Sequence, residues 1–145
     1  MIPKTILDLN VLIALADQRH DMHHLAHSWY VSSGKVDWGI CPFTEAGFVR
    51  VTTNPSFRPS PHSFARSTAL LQSIKRLPGY RFWEIRESWV TLTTPFAARI
   101  SGHQQVTDAY LLGLAIKEEG VLVTFDRGIR YMAGAEFSKN VLVLV

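Results

Sequence analysis

The run QVTDAYLLGLAIKEEGVLVTFD, from Gln105 to Asp126, decides how this chain folds. Gln105–Glu119 has helical character with apolar residues on nearly every side, the pattern of a helix packed inside a domain. Gly120 stands where a C-terminal cap belongs, and Val121–Phe125 then reads as a buried strand that ends on an acid, Asp126. Outward from this unit the same alternation repeats. Lys4–Leu7 is a short strand followed at once by Asp8, and Asn10–Ala16 and His23–Ser33 carry helical spacing. Trp38–Cys41 is a buried strand stopped by Pro42, after which Thr44 can cap a helix through Val51. Asn54–Pro61, with three prolines, is a loop; Ser63–Arg76 is a helix, Arg81–Ile85 a strand, and Val141–Leu144 the last strand. Glu87–His103 reads as mixed helix and loop. Strands alternating with helices predict one α/β domain over residues 1–145: a three-layer α/β/α sandwich with a parallel sheet covered on both faces. Ligands of such sheets bind beyond the carboxyl ends of the strands.

Composition agrees with a single packed domain. The chain has 145 residues, 47% of them hydrophobic, which supports a core and excludes disorder. Its longest apolar runs, Val121–Phe125 and Val141–Val145, are too short to cross a bilayer, so no membrane association is expected. Met1–Thr5 leads to Asp8 before any long apolar run, unlike a signal peptide. The single cysteine, Cys41, cannot form an internal disulfide, which fits a reducing cytoplasm. Net charge is +3, and ten of the fifteen basic residues are arginine, the residue best shaped to fork onto phosphate.

Four acids fall at strand ends or helix starts: Asp8 after the first strand, Glu45 in the first turn after the second, Asp108 near the start of the long helix with Thr107 as its expected cap, and Asp126 after Val121–Phe125. A parallel α/β sheet gathers all four at one edge. Two unit negative charges about 4 Å apart repel by roughly 4 kcal/mol at an effective dielectric near 20, so such a pit is strained unless a cation fills it. Carboxylate oxygens suit Mg²⁺ or Mn²⁺ better than Zn²⁺.

The phrases Leu7-Asp8-Leu9-Asn10-Val11-Leu12, Thr44-Glu45-Ala46-Gly47-Phe48-Val49-Arg50, Thr107-Asp108-Ala109 and Thr124-Phe125-Asp126-Arg127-Gly128 resemble, in order and over nearly the whole chain, the acidic motifs of the PIN-domain nucleases. Length and spacing are most similar to the VapC-type toxins of toxin–antitoxin pairs. The resemblance implies a Mg²⁺-dependent endoribonuclease with Asp8, Glu45, Asp108 and Asp126 as metal-binding acids and Asn10 and Thr124 as polar supports. It also implies a small cognate antitoxin and a homodimer. Some relatives carry a further acid two residues after the last motif aspartate; here that position is Gly128, which implies one firmly held ion and a second held only weakly. Cleavage by metal-activated water needs no covalent Ser, Cys or His. Arg50, Arg58, Arg66, Arg127 and Arg130 are candidate phosphate contacts, Arg50 and Arg127 foremost because each lies near a motif acid.

Other readings are weaker. Asp8-Leu9-Asn10 also looks like a haloacid-dehalogenase nucleophile motif, but Asn10 stands where that chemistry requires a second Asp. No Gly-x-Ser-x-Gly and no glycine-rich phosphate loop is present. His20, His23, His24 and His27 have helical spacing but lack nearby ligands to close a zinc site, and read as a solvated or interface face. Trp29, Tyr30, Trp38, Trp83 and Trp89 read mostly as core or interface, and Cys41 as core. A housekeeping RNA-processing nuclease and a non-catalytic RNA- or protein-binding module on the same fold are the alternatives to a toxin.

Overall fold

The computed structural model describes residues 3–57 and 60–145. Four strands, β1 (Thr5–Leu7), β2 (Trp38–Gly39), β3 (Val121–Thr124) and β4 (Val141–Val143), form a parallel sheet in the order β2-β1-β3-β4. The period of two along each strand divides the core into halves. Ile6 and Leu122 point to one face and Leu7 and Val123 to the other. The second face is covered by α1 (Leu9–Ala16), α2 (His23–Ser32), α3 (Pro42–Thr52) and α4 (Phe64–Ile74), through Leu12, Trp29, Phe48 and Leu71. The first is covered by α5 (Trp89–Thr93), α6 (Val106–Lys117) and α7 (Arg127–Ala133), through Leu92, Leu112 and Ile129. The expected α/β/α sandwich is therefore present. α6 buries Ala109 and every residue from Leu111 to Ala115, as its all-round apolarity requires.

Several local expectations are corrected. Arg81–Ile85 is not a regular strand, and β2 is shorter than Trp38–Cys41. The segment after Gly79 instead lies extended against β2, with Arg81 N donating to Trp38 O at 2.7 Å and Trp83 N to Ile40 O at 3.0 Å. Gly39 makes this approach possible, since a Cβ there would fall 1.8 Å from Arg81 O and 2.6 Å from Trp83 Cδ1. Thr44 does not cap α3: Cys41 holds that position, Pro42 begins the helix, and Thr44 is buried inside the first turn. Thr107 does not cap α6 either; Gln105 precedes the helix and turns its side chain to Ser101. The left-handed residue after α6 is Glu119 (φ 57°) rather than Gly120. Gly120 is required for another reason: its Cβ would meet Lys4 O and Trp83 Cη2 at 2.8 Å each.

Trp29, Trp38, Trp83 and Cys41 are buried, as expected. Trp38 Nε1 and Tyr30 Oη both donate to the Pro78 carbonyl at 2.9 Å, satisfying the polar edges of an aromatic cluster. Among the described residues no helix is long and apolar enough to cross a membrane.

Candidate active site

Three of the four motif acids assemble at the carboxyl edge of the sheet. Asp8 leaves β1 and caps α1: its Oδ1 accepts from Leu9 N at 2.7 Å. Its Oδ2 accepts from Thr124 Oγ1 at 2.8 Å, and the same hydroxyl accepts from Asp126 N at 3.0 Å. Thr124 is fully buried at the end of β3, so one hydroxyl ties the ends of the two central strands together. Asp126 caps α7, its Oδ1 accepting from Gly128 N at 2.8 Å. Asp108 stands half-buried in the first turn of α6.

The electrostatics follow from this crowding. Burial raises Asp8 above the usual carboxylate range; the bonds from Thr124 and Leu9 lower it, and the charge of Asp126 raises it again. Asp108 is pushed up to about 7, first by burial and then by Asp8 and Asp126. The charges of Asp8 and Asp126 thus act together on Asp108.

Glu45 is placed differently. Its Oε2 accepts from Lys75 Nζ at 2.6 Å, and it is not among the charges that raise Asp8 or Asp108. Lys75, at the end of α4, also lies over the Tyr80 and Phe82 rings. Sequence reading gave no hint of this partner, because nothing local distinguishes Lys75 from any helix-terminal lysine.

Among the described residues no three His, Cys, Asp or Glu side chains are close enough to enclose an ion. The arrangement is open, yet its chemistry fits a hard cation. The donors are oxygens, the aspartates repel one another, and Asn10 Oδ1, in the first turn of α1, is buried without any hydrogen-bond partner. Thr124 therefore supports Asp8 directly, whereas Asn10 contributes an unused acceptor. A Cβ at Gly128 would lie 3.0 Å from Asp126 Oδ1, so little room exists there for a further acid.

Arg50, Arg66, Arg127 and Arg130 are exposed, and none of them enters an ion pair among the described residues. Arg58 lies outside the described residues. Thr124→Val keeps the shape but strips Asp8 Oδ2 of its donor and Asp126 N of its acceptor. The expected cost is about 1–3 kcal/mol by denaturant melts, with Thr124→Ser close to the native value. A loss confined to Thr124→Ser would assign the effect to packing of the methyl group.

A parallel sheet with aspartates set at its carboxyl edge by strand ends and helix starts is the architecture of the PIN domain, and the PIN-domain family profile matches residues 5–135. The chain belongs to this family, in its VapC-type branch. It is 41% identical to Ribonuclease VapC38 of Mycobacterium tuberculosis over 128 residues, covering 88% of this chain and 89% of that one. Among solved structures, the fold is similar to that of VapBC2 from Rickettsia felis bound to a DNA fragment from its promoter. The TM-score is 0.62 at 12% identity, with all of both chains covered. It is also similar to Mycobacterium tuberculosis VapC20, a Sarcin-Ricin loop cleaving toxin, with TM-score 0.60 at 13% identity over 80% of this chain and 84% of that one.

Proposed function

We propose that this chain is a Mg²⁺-dependent endoribonuclease, able to use Mn²⁺, and the toxin of a toxin–antitoxin pair acting in the cytoplasm. The observation that carries this reading is the convergence of Asp8, Asp108 and Asp126, delivered from three separate segments to one edge of the sheet, where the charges of Asp8 and Asp126 both raise Asp108. An idle site of this kind only destabilises a domain, because like charges are brought together around a buried Asp8 and a half-buried Asp108.

Asp8, Asp108 and Asp126 would hold the ion, with Asn10 Oδ1 as a neutral donor; Glu45 would join as a fourth acid on release from Lys75. A bound divalent ion lowers the pKa of a coordinated water and screens charge on the scissile phosphate. The protein's own residues do the positioning. The Thr124 hydroxyl fixes the separation of the Asp8 and Asp126 segments. Arg50 and Arg127, both exposed, would contact RNA phosphates near the aspartates. The mechanism needs neither a covalent intermediate nor the 2′-hydroxyl.

The names of the relatives support RNA as the substrate: VapC38 is called a ribonuclease, and VapC20 cleaves the Sarcin-Ricin loop. The VapBC2 complex supports a small antitoxin as partner, and a homodimer is expected with it.

Inducible expression tests the whole reading. The native chain should arrest growth, and co-expression of the neighbouring small reading frame should restore it. Asp8→Asn should leave growth normal. Arrest of equal depth by both forms removes nuclease chemistry from the explanation, and RNA cleavage without arrest points instead to a housekeeping processing enzyme.

A further inference from the structure

We propose that His23 and His27 form a second metal site on α2, selective for a transition-metal dication such as Ni²⁺ or Zn²⁺ and separate from the aspartates. His23 Nδ1 lies 2.7 Å from the Ala14 carbonyl. A carbonyl can only accept, so Nδ1 carries the proton and Nε2, on the other side of the ring, keeps its lone pair. This is the way ligating imidazoles are oriented by an outer partner. His27 follows one helical turn later, its ring centroid 5.6 Å from that of His23 and the planes 26° apart. Two imidazoles joined through Nε2 to one tetrahedral ion at about 2.0–2.1 Å have centroids about 5 Å apart. The stacked rings stand close to that separation, and rotation of the exposed His27 side chain would turn its ring nitrogen onto an ion held by His23 Nε2.

The other histidines of the run are set apart by their contacts. His20 Nδ1 accepts from Met22 N at 3.0 Å, which places the proton of its neutral ring on Nε2 and removes that atom as a ligand. His24 is exposed and makes no hydrogen bond among the described residues. Two imidazoles leave the remaining positions to water, consistent with the lack of any third ligating side chain among the described residues. Imidazole nitrogens favour Ni²⁺, Cu²⁺ and Zn²⁺, whereas carboxylates favour Mg²⁺ and Mn²⁺, so the two sites sort ions by chemistry. The inference stands apart from the nuclease reading, because no residue is shared.

Calorimetric titration of Ni²⁺ into the full chain, with excess Mg²⁺ present to occupy the aspartates, tests it. One equivalent should bind. Outer partners of ligating histidines are alone worth about 10–100-fold in affinity, so His27→Ala should weaken binding by at least about tenfold. His27→Gln, which keeps the helix and the side-chain length, should show the same loss, and so excludes misfolding as the cause. His24→Ala and Asp108→Asn should bind as the native chain does. Undiminished binding in either His27 variant, or loss confined to Asp108→Asn or His24→Ala, would overturn the assignment.

Discussion

Asp108→Asn should lower RNA cleavage about a hundredfold to a thousandfold, the scale on which single groups in preorganised charged sites act, while making the metal-free protein more stable at neutral pH. The two effects have one origin. Asp108 holds its proton up to about pH 7 in the fold, against the usual 3.8. Between those values the folded chain retains a proton that the unfolded chain has released, so stability falls as pH rises from about 4 to about 7. The contribution is fully present below about pH 4 and fully lost above about pH 7. Asparagine neither ionises nor repels Asp8 and Asp126, so this part of the pH dependence should vanish. Thermal melts in chelator across that range measure it. Added Mg²⁺ should raise the melting temperature of the native chain more than that of the variant, since binding to the folded form stabilises it by mass action. A variant that cleaves normally, or whose melting temperature follows pH as the native protein's does, removes Asp108 from the charged site.

Gly39→Ala should be the most damaging single methyl group in the sheet. Its Cβ would overlap Arg81 O at 1.8 Å and Trp83 Cδ1 at 2.6 Å, and the first of these is backbone, which cannot rotate away. Relief requires peeling the Arg81–Trp83 segment from β2, with loss of the bonds from Arg81 N to Trp38 O and Trp83 N to Ile40 O. Overpacking alone costs about 1–3 kcal/mol, and each exposed or broken backbone bond adds to it, so a loss of about 3 kcal/mol or more is expected in denaturant unfolding. By contrast, Gly102→Ala meets nothing within 4 Å and should change stability little. Similar losses at both positions would mean that the close approach at Gly39 is not what the sheet depends on.

Much of the fold was legible because the dominant signals were local. The buried strand Val121–Thr124 and the apolar helix before it declare themselves by composition, and the strand–helix alternation sets a parallel sheet. Helix caps were less legible. Thr44 and Thr107 have capping chemistry, but Pro42 starts α3 earlier, and the chain before α6 enters through a short 3₁₀ turn at His103–Gln105. Arg81–Ile85 has strand composition, yet only part of it lies against β2, and the end of the segment diverges. For the site, position along strands and helices was enough to bring Asp8, Asp108 and Asp126 together. The pairing of Glu45 with Lys75 joins residues thirty positions apart through the packing of α3 on α4, and no local pattern encodes it.

The central position of β1 also governs when the acidic edge can assemble during synthesis. Val121–Val123, the partner of Thr5–Leu7, is made more than a hundred residues after it. Closing so long a loop is slow and cannot begin until both ends exist. Asp8 therefore waits for Thr124 and Asp126, and a truncated translation product carries no assembled acidic edge.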